Sequence, residues 1–250
     1  MNSSLSTTSS TPPGVTRLPA AAWDILAYWP LAALTAAGFG AAMLAKSRSL
    51  QPPVRSLLAG AVGGVAALGF VRWQLSRHFT ALPPYEIESQ LGELEVRRYP
   101  KRVQAETLVS TSDFDEGLRE GFRRLAGYIF GGNGSPEKGS ERIAMTSPVT
   151  SSASDQGRRV CFVMPSGRTL DSLPVPRDSR VELREEPAQT IAVLRFSGAY
   201  KAARVLEQQQ RLLALARAEH LSIRGEPQFA GYDAPSTLPF LRRNEVWVRL

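Results

Sequence analysis

Arg119 and Arg123, one helical turn apart, have the spacing most suggestive of recognition chemistry. Positions four apart share a helix face, so the two guanidinium groups can pair with two carboxylates of one ligand. Phe122 lies beside them and offers an aromatic face. A plainer reading is that Arg119 and Arg123 are solvated partners of Asp115, Glu116 and Glu120, each pair contributing on the order of a few tenths of a kcal/mol. Phe122 and Leu125 can equally belong to a stripe that seals a core. Helical spacing alone leaves both readings open.

Other reactive side chains point to little chemistry. Cys161 is the single cysteine, which excludes an internal disulfide framework and leaves no Cys/His cluster for zinc. Its run RRVCFVMPS reads as a strand holding a buried, inert thiol. His78 and His220 are far apart and lack metal-ligand spacing, so no metal site is expected. Met145 and Met164 read as core residues, and nothing independent marks Tyr128 as a ligand. There is no Ser-His-Asp arrangement, G-x-S-x-G, phosphate loop or pair of acids in an obvious site, so no catalytic residue is assigned. Glutamates and tyrosines on strands leave acid–base chemistry as a minor alternative.

The arginines sit in the stretch from Asp113 to Val149, which reads as helix, glycine stop, loop and strand. Phe114, Leu118, Phe122, Leu125 and Ile129 recur on one helical stripe, with charges on the other side. Ser112 with Asp115 fits a capping box, and Gly131-Gly132 can supply a left-handed stop. Before the helix, YEIESQLGELEVRRYP and KRVQAETLVST each read as strand, and ERIAMTSPVTS and RRVCFVMPS follow it. The order begins again with strands around Val181–Arg184 and Thr190–Phe196 and a second helix in KAARVLEQQQRLLALARAEHL, where Val205, Leu212 and Ala216 form a row. PQFAGYDAP reads as a proline-interrupted connection, and NEVWVRL as a last strand. The expected fold is α+β: duplicated strand-helix-strand-strand units forming a twisted β-barrel with two helices over residues 83–250.

The N-terminal third has a different character. Residues 1–22 are a Ser/Thr/Pro/Gly tract too poor in large apolar side chains to offset its ordering entropy, and read as a disordered tail. Residues 25–45 are free of charge and long enough to cross a membrane. Residues 56–73 span if Arg55 and Arg72 snorkel outward. With the basic loop between them, residues 23–78 read as a transmembrane helical hairpin, the alternative being a buried hairpin of a soluble protein. The formal net charge of +7 divides into +5 for residues 1–82 and +2 for residues 83–250, which argues against a nucleic-acid surface and for a membrane one. Lys46, Arg48 and Arg55 outweigh Arg17, placing the loop in the cytoplasm and the C-terminal domain on the non-cytoplasmic side.

GFRRLAGYIFGGN, IAMTSPVT, FVMPS, LPVPRD, IAVLRFSG, AGYDAP and RRNEVW, in that order and spacing, resemble the SOUL/heme-binding protein family over about residues 83–250. The resemblance implies a duplicated α+β barrel similar to bacterial effector-binding domains. It also implies non-enzymatic binding of heme or another tetrapyrrole on a hydrophobic surface beside the first helix, with basic residues near the propionates. Carried over by position, the cofactor-binding residues are Arg119, Phe122, Arg123, Leu125 and Ala126. With the hairpin, this describes a membrane-tethered tetrapyrrole-binding module; the alternative is an effector-binding-like barrel for another hydrophobic ligand or a protein partner. The departure is the iron ligand: no histidine lies between His78 and His220, so weak or absent axial ligation is expected.

Overall fold

The computed structural model describes residues 81–134 and 139–250, together with Ala61 and Gly64. The predicted tail, the first predicted membrane-spanning segment, all of the second but those two residues, and His78 lie outside the described residues. Among the described residues no helix is long and apolar enough to cross a membrane. The compact unit that carries the domain runs Val71–Leu250.

The described residues build nine strands and two long helices: β1 (Glu86–Leu91), β2 (Leu94–Tyr99), β3 (Arg102–Val109), α1 (Phe114–Ile129), β4 (Val149–Ser154), β5 (Gly157–Val163), β6 (Val181–Glu186), β7 (Gln189–Phe196), α2 (Ala202–Ala218), β8 (Arg224–Gly231) and β9 (Asn244–Arg249). All pairings are antiparallel, in the order β1-β2-β7-β9-β8-β4-β5-β3-β6. Read outward from the central β8·β4 pair, this order is a palindrome. β7-β9-β8 matches β3-β5-β4, and β6 matches β2, each half lending one strand to the other. The expected duplication is therefore present, as strand-strand-helix-strand-strand with β1 added.

The expected closed barrel is not. The sheet is open, with β1 and β6 as its edges. Both edges are rich in charge, Glu86 and Glu88 on one and Glu182, Arg184, Glu185 and Glu186 on the other, a composition that blunts edge-to-edge pairing. The sheet curls far enough for side chains to meet where backbones do not: Arg249 of β9 reaches Glu186 of β6 at 2.6 Å.

Three local expectations also change. YEIESQLGELEVRRYP is two strands, because Gly92 at φ 58 turns the chain into a hairpin. In ERIAMTSPVTS the strand starts only at Val149, after Pro148, which has no N–H for a ladder. PQFAGYDAP contains most of β8; the register slips between Arg224 and Gln228, an irregularity that accommodates Pro227.

Alternation along the strands sends two sets of side chains to opposite faces. On the helix-covered face, α2 buries Val205, Leu212 and Ala216 against Leu94, Leu194, Phe229, Val246 and Val248. α1 buries Leu125, Tyr128 and Ile129 against Val103, Ala105, Val160 and Phe162. The concave face carries Tyr99, Ile191, Val193, Ala230 and Trp247 at one end and a charged cavity at the other.

Candidate functional site

The rotation of α1 on the sheet decides which of its residues face out. A Cβ at Gly121 would stand 2.6 Å from Val160 Cβ, and one at Gly117 2.7 Å from Arg158 Cδ, so these glycines let the helix lie flush on β5. That seating sends Phe114, Leu125, Ala126, Tyr128 and Ile129 inward and leaves Arg119, Phe122 and Arg123 outside. Asp113, not Ser112, caps the helix: Asp113 Oδ1 accepts from the Glu116 N–H at 2.7 Å. Ser112 is displaced from that role because Asp113 holds the extended backbone of a cap residue, φ −68 and ψ 129. The end follows the expected glycine stop, with Gly131 at φ 112, Gly132 N–H donating to Gly127 O at 2.8 Å and Gly131 N–H to Tyr128 O at 3.4 Å. α2 ends the same way, with His220 at φ 55 in the place of Gly131 and Leu221 N–H bonded to Ala216 O at 2.9 Å. His220 thus serves as a backbone stop and is exposed at the helix end.

The five carried-over residues divide into two groups. Leu125 and Ala126 are 0% and 5% exposed and pack inside, so a ligand on the outer face cannot touch them. Phe122 is 37% exposed, its ring set edge-on to Phe162 at 5.3 Å between centroids. Arg119 and Arg123 are exposed on either side of it. Arg123 pairs with Glu120, which also accepts from Arg124 Nε at 2.8 Å. Burial opposes the Glu120 charge, but the hydrogen bonds from Arg124 and Arg123 outweigh it and hold the carboxyl below its usual range. Arg124 is committed inward, donating to Leu108 O at 2.9 Å. Arg119 has no ion-pair partner among the described residues.

The other residues weighed as iron ligands are engaged elsewhere. Tyr128 is buried and donates to Pro174 O at 2.9 Å, and burial pushes its phenol up to about 12. Met164 is core, and Cys161 is buried on the opposite face, its thiol pushed up to about 12 by the same loss of solvent. Among the described residues no group of three or more His, Cys, Asp or Glu is arranged to hold a metal ion. The α1 face therefore offers an aromatic ring and two cations.

Reading the sequence missed the hub around Glu245. Its carboxylate accepts from Arg97, Arg243, the Tyr232 hydroxyl at 2.6 Å and the Trp247 indole at 2.8 Å, and it is fully buried. The signal was RRNEVW itself, in which an acid alternates inward between arginine and tryptophan.

A family model described as SOUL heme-binding protein matches residues 80–249. Heme-binding protein 2 of Mus musculus is 32% identical over 174 residues, covering 66% of this chain and 82% of that protein. Heme-binding protein 1 of Xenopus laevis is 31% identical, covering 61% and 81%. Among solved structures, the EcmrR C-terminal domain aligns with a TM-score of 0.45 at 12% identity, covering 66% of this chain and 96% of that one.

Proposed function

The chain belongs to the SOUL heme-binding protein family, and from that premise we propose that it binds heme or a related tetrapyrrole, without catalysis, on the outer face of α1. The observation that carries the placement is Phe122, a large aromatic left partly exposed between two exposed arginines on one helix face. Phe122 offers the macrocycle an apolar contact, and Arg119 and Arg123 meet its two carboxylates. Arg119 is ready for this, whereas Arg123 must exchange Glu120 for the ligand. Leu125 and Ala126, buried on the inner side of α1, take no part in this contact. The concave cavity is a poor alternative for a macrocycle, since at ≈ 270 Å³ it falls below the roughly 300–1,000 Å³ usual for drug-sized ligands and is lined with charge.

Affinity in this reading comes from the ring and the carboxylates and not from an iron bond. Titration of the full-length chain with hemin and with metal-free protoporphyrin tests it: both should bind with similar Kd, below about 10 µM. Arg119→Glu with Arg123→Glu should weaken both equally. A strong preference for hemin would demand an axial ligand and sink this mode; unchanged affinity in the double variant would move the site off α1.

The uncharged length of residues 25–45 supports a membrane tether, and the loop arginines and lysine support a non-cytoplasmic domain. Extraction of cell membranes at alkaline pH tests the tether, which is lost if the protein is released. A reporter fused after Leu250 that works only in the cytoplasm would reverse the orientation.

A further inference from the structure

The concave face of the sheet, opposite both helices, holds a second arrangement that the tetrapyrrole reading does not use. A cavity of ≈ 270 Å³ opens there between β3, β4, β5, β6 and β9. Glu106 lines it and is 6% exposed; its Oε1 is ion-paired with Arg184 Nη1 at 3.4 Å, and Oε2 has no hydrogen-bond partner. Arg102 also lines it, its guanidinium stacked over the Tyr99 ring at 4.6 Å, with Nε and Nη1 buried and unpartnered. Glu186, opposite Arg102 on β6, is already engaged, by Gln104 Nε2 at 3.2 Å and by the Arg249 charge at 2.6 Å.

Besides the Gln189 carboxamide oxygen, one buried acceptor, Glu106 Oε2, and one buried donor edge, that of Arg102, are thus left open in the same cavity. Buried polar atoms of this kind are costly to leave unmet. Glu106 and Arg102 both belong to β3 and point to the same side, four residues apart, which sets their Cα atoms about 13 Å apart along the strand. We infer that this cavity binds a small linear zwitterion, with its ammonium group on Glu106 and its carboxylate on Arg102. A Cα spacing of about 13 Å calls for a ligand whose two charges are set several methylene groups apart, not the single carbon of an α-amino acid. The volume excludes bulky ligands.

The probe is 6-aminohexanoate, titrated into the full-length chain by calorimetry, with hexylamine, hexanoate and glycine as single-charge and short controls. Saturable binding of 6-aminohexanoate, with the controls at least about tenfold weaker, is the expected result. Glu106→Gln and Arg102→Gln should each weaken it about 10- to 100-fold, the effect of losing one charge-assisted hydrogen bond. Ser152→Trp, which fills the cavity from its rim, should abolish binding whatever the polar variants do to stability. Hemin titrations of the same proteins should not change, which separates this site from the α1 face. No saturable binding of 6-aminohexanoate, equal binding of hexylamine or hexanoate, or indifference to both Glu106→Gln and Ser152→Trp each overturns the inference.

Discussion

Arg97 of β2 and Glu245 of β9 meet across β7 in a two-pronged ion pair, Nη1 to Oε2 at 2.9 Å and Nη2 to Oε1 at 3.1 Å, with both side chains almost fully buried. Their strands are not neighbours, so the pair ties the curl of the sheet as well as its ladder. Removing one partner of such a pair costs about 3–5 kcal/mol, because the other charge is left buried. Glu245→Gln should therefore lower the melting temperature by about 10 °C in thermal denaturation. Burial works against the Glu245 charge, but Arg97, Arg243 and Tyr232 outweigh it and hold the carboxyl below its ordinary value of 4.5. A depressed folded-state pKa contributes stability that is complete above the unfolded value and is lost as pH falls through the folded one. The acid limb of the stability profile should be shallower in Glu245→Gln. A variant that melts like the parent with the same acid limb would mean that the network contributes nothing net.

Leu125 and Phe122 are three residues apart on α1 and should separate folding from binding. Leu125 is sealed in the core, so Leu125→Ala should cost about 2–5 kcal/mol while leaving hemin affinity of the folded protein within about threefold. Phe122→Ala loses an edge-to-face contact with Phe162, worth about 0.5–1.5 kcal/mol beyond its area, and should weaken hemin about tenfold. If Leu125→Ala abolishes binding while Phe122→Ala leaves it intact, the ligand lies beneath the helix and not on it. Melting curves and hemin titrations of both variants decide.

The cap of α1 offers a smaller, cleaner test. Asp113→Ala removes the acceptor for the Glu116 N–H and a negative charge from the helix start, at a cost of about 1 kcal/mol. Ser112→Ala should be neutral. Chemical denaturation of the two variants reverses the assignment if Ser112→Ala proves the costlier.

What was legible in the sequence had short-range causes. The α1 helix, its Gly131 stop and the presence of a duplication follow from periodicity and glycine chemistry, and the structure bears them out, while Phe122 leaves the expected stripe and each repeat gains a strand. The family resemblance was legible for a related reason. Its motif words are structural junctions: Asn133 pins the α1 exit by bonding Tyr128 O at 2.7 Å and both backbone groups of Glu141, Ser147 donates to Tyr232 O, and Tyr232 serves Glu245. Barrel closure was not legible, because whether β1 meets β6 depends on the accumulated curl of nine strands and on charge at both edges. Nor was the direction of Phe122 and Leu125. One stripe held both, and only the seating of Gly117 and Gly121 on β5 turned Leu125 in and Phe122 out. The concave cavity was hidden for a third reason: polar side chains alternating along Arg102, Gln104 and Glu106 mark one face of a strand, and nothing local tells that the sheet curls over that face.

Gly121 and Gly127 give opposite expectations on the same helix. Alanine is favoured over glycine in a helix by about 1 kcal/mol, so space around the new methyl group settles the sign. At Gly127 nothing lies within 4 Å of a Cβ, and Gly127→Ala should stabilise the domain by up to about 1 kcal/mol. At Gly121 the Cβ would meet the branched carbon of Val160 at 2.6 Å, in the middle of a strand that cannot retreat, since Val160 is fully buried and β5 is paired on both sides. Gly121→Ala should lift α1 off the sheet and lose about 1–3 kcal/mol, the cost of overpacking. Lifting the helix also tilts Phe122 away from Phe162, so hemin affinity should fall together with stability in Gly121→Ala and not in Gly127→Ala. Urea melts and hemin titrations of the two variants test this, and a stabilised Gly121→Ala would show that α1 is not held by this close approach.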